Sequence, residues 1–133
     1  MTATATITGN LTRDIELKAT STGRMVASFS IAVSKRVQRD GQWIDGPTSY
    51  FDITAWGTLA ENVAASAAKG TKVIVTGRLE QQTWDGPDGS KKSKVIVVAD
   101  DIGVSLARAT VDVHRVARDL TAAPAIIEDE EPF

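Results

Sequence analysis

The chain contains no cysteine, a single histidine (His114), and few aromatic residues, 5% of 133. Without cysteine there is no disulfide framework, no thiolate zinc site and no cysteine nucleophile. One histidine cannot build a histidine-rich metal centre and argues against a Ser-His-Asp arrangement. No stretch approaches the roughly 18 apolar residues of a membrane-spanning helix. The N-terminus, Met1-Thr-Ala-Thr-Ala-Thr-Ile7, lacks the charged-then-apolar pattern of a secretory signal. Internal repeats and low-complexity segments are also missing. These absences lead us to expect no catalytic residues, no metal, no cofactor and no membrane partner, and a cytoplasmic location.

What is present suits one compact domain with a short appendage: 42% of residues are hydrophobic and 24% are charged. The formal net charge of −2 hides an uneven distribution. Glu128, Asp129, Glu130 and Glu131 form an acidic tip. Residues 1–127 then carry all 15 Lys and Arg against 13 acids, a net of +2.

The first hundred residues alternate like strands. Ala3 to Ile7 is β-rich and ends at Gly9-Asn10; Asp14 to Lys18 continues it as a half-buried strand. After turn chemistry at Thr20 to Gly23, Met25, Ala27, Phe29, Ile31 and Val33 share one face, with Ser28, Ser30 and Ser34 on the other. Lys35 to Pro47 reads as a long hairpin arm, with strand pairing around Gln42-Trp43-Ile44 and turn signals at Asp40-Gly41 and Asp45-Gly46-Pro47. Ser49 to Trp56 is the next strand. Thr58 and Glu61 match a capping box for a helix running to Lys69 and stopped by Gly70, with Leu59, Val63 and Ala67 as its apolar stripe. Thr71 to Trp84 is a strand interrupted at Gly77 by a bulge or bend, and Lys94 to Val104 is the fifth.

The expected class is therefore all-β with one short helix: an OB-fold, a five-stranded barrel with an extended hairpin arm and the helix between strands 3 and 4. Beyond Leu106 the period fits a strand (Val111, Val113) and a helix (Val113, Val116, Leu120) equally.

The placement of the aromatics is the informative anomaly. Phe29 and Phe51 belong to the core by parity. Tyr50 and Trp56 instead share a face with Asp52 and Thr54, and Trp84 shares one with Lys72, Thr76, Arg78 and Gln82. Trp43 sits in the basic arm. Rings on a wet β-surface, interleaved with cations, suit single-stranded nucleic acid, because every unpaired base offers a π-face and each phosphate a negative charge. The alanine-rich helix carries few cations and does not suit groove reading in a duplex. The candidate phosphate contacts are Lys35, Arg36, Arg39, Lys72, Arg78, Lys91 and Lys92. Competing readings are a protein-binding barrel module and a small nuclease, the latter without an acid-base constellation to support it.

Four segments resemble the bacterial single-stranded DNA-binding proteins: Thr8 to Asp14, Gly23 to Ala32, Trp56 to Asn62 and Lys69 to Leu79. Their order and spacing agree across about residues 4–106, and Pro132-Phe133 matches the family's ending. The resemblance implies an OB-fold that assembles as a homotetramer, binds single-stranded DNA without sequence preference in replication, recombination and repair, and is nucleoid-associated. Its stacking positions map onto Tyr50, Trp56 and Trp84; a fourth falls on Val37, and Trp43 is a further candidate. The tip residues Asp129, Glu130, Pro132 and Phe133 are expected to recruit replication and repair enzymes. Similarity of 109–118 to high-GC Gram-positive relatives implies a strand clamping two subunits, and the short tail a specialised paralogue of such a lineage. The expected organisation is an OB-fold domain for DNA binding and oligomerisation over 1–106, a clamp strand over 107–120, and a linker with the acidic tip over 121–133.

Overall fold

Alternation of small or β-branched residues with polar ones builds most of this molecule. The structure, a computed structural model, describes residues 2–116. Strands β1 (Thr4–Leu11), β2 (Glu16–Ala19), β3 (Met25–Arg39) and β4 (Gln42–Trp56) precede helix α1 (Gly57–Ser66), and β5 (Lys72–Asp85) and β6 (Lys91–Val104) follow it. The sheet order is β1-β5-β6-β4-β3-β2, and an additional β1–β3 pairing joins five of the strands into a ring. All pairings are antiparallel except β4–β6, which is parallel through Ile53↔Val97 and Thr54↔Val98. That ring is the five-stranded OB barrel.

The strand of the ring expected first is divided. β1 runs through Gly9-Asn10 to Leu11 instead of ending there, because Asn10 pairs with both Lys72 of β5 and Ala32 of β3. A Cβ on Gly9 would stand 2.6 Å from the Ala32 carbonyl oxygen, so glycine serves a backbone crossing and not a turn. β2 lies at the end of the sheet, paired only with β3, and all four of its residues are exposed rather than half-buried. Helix α1 consequently falls between the fourth and fifth strands, or between the third and fourth of the ring.

Strand parity accounts for the inward residues. Phe29, Ile31, Ile53, Val73, Val75 and Val97 are fully buried, each worth on the order of 2 kcal/mol against exposure. Phe51 packs against this cluster while only partly buried. Ala60, Val63 and Ala67 close one end of the barrel.

The helix begins and ends differently from the capping-box reading. Trp56 occupies the cap position and no side chain bonds the first turn, since the chain leaves β4 directly through Gly57 at φ +65°. Thr58 therefore lies inside the helix. At the other end Ala67 turns extended and buries its methyl group. The exit loop is then pinned by its own donors: Lys69 N–H donates to Asp14 Oδ1 (2.8 Å) and Gly70 N–H to the Leu11 carbonyl (2.9 Å). Gly70, at φ +91°, serves the turn into β5.

Asp45-Gly46-Pro47 is not a turn. Pairing shifts between Ser34↔Thr48 and Arg36↔Asp45, so Gly46 and Pro47 stand opposite Lys35 as a bulge inside β4. Proline and glycine suit a bulge for the reasons they suit a turn: no ladder donor, and room for close backbone approach. Near Gly77 the register also shifts, but the extra residue is Asp100 of β6, so the face alternation of β5 is unbroken.

Candidate functional site

Because Ile53 and Ala55 point into the core, Tyr50, Asp52, Thr54 and Trp56 emerge on the outer face of β4. The β3 register sets Val26 opposite Trp56 and Ser28 opposite Thr54. Parallel pairing of β4 with β6 involves only two residue pairs, and the β3–β4 and β5–β6 hairpins continue past it as separate arms. On the β5–β6 side, Gln82 faces Lys94 and Trp84 faces Lys92 across the ladder.

A groove of about 400 Å³ runs between these elements, lined among others by Arg13, Ser28, Asp52, Thr54, Trp56, Gln82 and Lys94, with Phe29, Ile53 and Ile96 also contributing. A second concavity of about 520 Å³ is lined by Gln82, Thr83, Trp84 and Lys94. Gln82 and Lys94 line both, so the two concavities adjoin, one bordered by Trp56 and the other by Trp84.

The rings are presented to different degrees. Tyr50 is 67% exposed and Trp84 45% exposed. Trp56 is half-buried, and the Arg24 guanidinium lies 4.4 Å from its ring centroid. Such a contact is worth about 0.5–1 kcal/mol at an exposed site and sets a positive charge beside the groove. Trp43 is 61% exposed near the tip of the β3–β4 arm, outside the groove.

The cations divide into groups. Lys92 shares a face with Trp84, while Lys91 opposes Asp85 one residue along. Lys35, Arg36 and Arg39 lie along the β3–β4 arm. Lys72 lies away from the groove, in a separate hollow with Asn10, Thr71 and Arg108. Arg78 is engaged by Glu80 (3.4 Å) and Asp100 (3.8 Å). Lys94 bonds Asp52, Nζ to Oδ2 at 3.1 Å. Sequence reasoning passes over Arg13, Arg24, Gln82 and Lys94 as site residues. Lys94 has the strand parity of Lys92, a signal that is legible; nothing local marks Arg13 or Arg24, which reach the site through long-range pairing.

Among the described residues no group of three His, Asp or Glu could hold a metal ion, and no helix is long and apolar enough to cross a membrane. The tip residues Asp129, Glu130, Pro132 and Phe133 lie outside the described residues, as does 117–120 of the expected clamp strand. Residues 107–116 form no strand or helix within the single chain.

A ring-closed OB barrel carrying an open groove with aromatic rings and cations has the form of a binding protein. Residues 2–105 match the Single-strand binding protein family, and the chain belongs to that family. It is 43% identical to the single-stranded DNA-binding protein of Mycobacterium leprae over 117 residues, 86% of this chain and 70% of that one. The corresponding protein of Mycolicibacterium smegmatis is 42% identical over 86% of this chain and 71% of its own. The crystal structure of the small single-stranded DNA-binding protein from Streptomyces coelicolor superposes with a TM-score of 0.71 at 28% identity, covering 82% of this chain and 99% of that one.

Proposed function

We propose that this protein coats single-stranded DNA without sequence preference during replication, recombination and repair. Bases stack on Tyr50, Trp56 and Trp84, with Trp43 extending the track along the β3–β4 arm. Lys35, Arg36, Arg39, Lys91 and Lys92 take phosphates, and Lys72 serves strands that continue around the barrel, where Arg78, held by Glu80 and Asp100, contributes little. The observation that carries this reading is the pair of adjoining concavities, one lined by Trp56 and the other by Trp84, that share Gln82 and Lys94. Each stacked base contributes roughly 1–3 kcal/mol.

The working unit is a homotetramer in the cytoplasm, associated with the nucleoid. Residues 107–120 act as a strand paired with a neighbouring subunit; Leu106, Val111, Val113 and Val116 support this, since they stand exposed among the described residues. Residues 121–133 carry the acidic tip, where Asp129, Glu130, Pro132 and Phe133 recruit replication and repair enzymes.

Titration of tryptophan fluorescence with oligo-dT at two salt concentrations tests the reading. Quenching should saturate, and affinity should fall with salt. The Trp56→Ala, Trp84→Ala double variant should lose at least about 10-fold in affinity, given the stacking contribution of each ring. Wild-type affinity in that variant would remove the stacking assignment.

A further inference from the structure

An acid stands in the middle of the path assigned to a polyanion. Asp52 sits on the outer face of β4 between Tyr50 and Thr54, and its Oδ2 holds the Lys94 ammonium at 3.1 Å. Lys94 reaches it from β6, so the pair bridges the base of the two arms, and Lys94 belongs to both halves of the groove. The two side chains are about half exposed, 50% for Asp52 and 48% for Lys94. Water therefore screens the pair, and its own strength is small. A lone carboxylate there would repel every phosphate passing along the groove. Paired, it keeps the groove's central cation occupied.

The geometry points to Asp52 as an affinity-setting residue, an intramolecular stand-in for phosphate that holds Lys94 until a bound strand displaces it. The inference rests on the proposed binding of single-stranded DNA at this groove. Its physical content is a matter of ion counting. A cation already neutralised by a carboxylate cannot release a condensed counterion from the nucleic acid without first giving up its partner. Lys94 then adds little to the affinity and little to the salt dependence of the native protein. Weak native binding at this point favours rapid redistribution along a strand, because opening and remaking an exposed ion pair has a low barrier.

The test uses the full chain and oligo-dT, read by tryptophan quenching over a series of salt concentrations. Asp52→Asn should bind about 3- to 10-fold more tightly at low salt, because one screened pair no longer competes and one negative charge is gone. Its plot of log affinity against log salt should steepen by about 0.7, the increment for one further phosphate neutralised on a single strand. Lys94→Gln should bind more weakly than the native protein with an unchanged slope, since it unmasks the carboxylate. The Asp52→Asn, Lys94→Gln double variant should recover the native slope. Asp52→Asn with native or reduced affinity overturns the inference, reduced affinity being the result if the carboxylate instead accepts hydrogen bonds from base amino groups. A double variant as steep as Asp52→Asn also overturns it, because the freed cation would not be Lys94. Failure of the native protein itself to bind oligo-dT would remove the underlying functional reading, which separates the two.

Discussion

The two hairpin arms leave the barrel by the same device and then diverge in chemistry. Each departs through a bulge with a glycine at the close approach. A Cβ on Gly46 would lie 2.7 Å from the Lys35 carbonyl oxygen, and one on Gly77 would lie 2.2 Å from that of Val98. The β3–β4 arm ends in the tight Asp40-Gly41 turn, both residues at positive φ (52° and 76°). A longer loop closes the β5–β6 arm, with the Gly86 N–H donating to the Ser90 carbonyl at 2.7 Å. Among the described residues, Lys35, Arg36 and Arg39 on the first arm make no ion pair, whereas Arg78 and Lys94 on the strands of the second are both engaged. Counting cations from composition therefore overstates what the second hairpin offers a phosphate.

That contrast can be tested at several points. The largest effect is expected at the root of the second arm. Gly77→Ala drives a methyl group into backbone atoms of Val98 and Ala99, and should cost about 3 kcal/mol of stability by denaturant unfolding. An unfolding midpoint equal to the native one would show that the bulge yields freely. Next, replacing Lys35, Arg36 and Arg39 together by Ala should flatten the salt dependence of oligo-dT binding by about 2 in log-log slope, about 0.7 for each phosphate left without its cation. Arg78→Ala should change that slope far less, because Glu80 and Asp100 already neutralise its charge. Equal slopes for Arg78→Ala and a single arm substitution would erase the distinction between the arms.

The smallest effect concerns pH. Asp88 in the second loop has its pKa lowered, first by the Ser90 hydroxyl donating to it at 2.7 Å and then by the Ser90 backbone N–H at 3.1 Å. A carboxylate with a lowered folded-state pKa favours the folded loop above the ordinary aspartate range. That contribution fades as pH falls through the lowered value. Carboxyl titration followed by NMR should place Asp88 below 3.8, the ordinary aspartate value, and show the Ser90 amide moving with it.

Much of this was legible in the chain. Strand alternation put Phe29 and Ile31 inside and Tyr50 and Trp84 outside, and the structure has them there. The same local chemistry misled where one residue type serves two geometries. Gly9-Asn10 read as a strand end and Gly46-Pro47 as part of a turn, yet each lies within a strand where two backbones crowd together. Thr58 and Glu61 read as a capping box, but Gly57 began the helix early and left Trp56 at the cap.

The period of two residues is a property of a single strand, and so the sequence by itself determined which side chains enter the barrel and which remain wet. Whether a wet cation is free or engaged depends on residues far away in the chain: Lys94 meets Asp52 across 42 positions, and Arg24 covers Trp56 because Val26 pairs with it. Such contacts form only when distant strands close into the ring. The tertiary structure alone decided them, because no local pattern records which strand becomes a neighbour's neighbour.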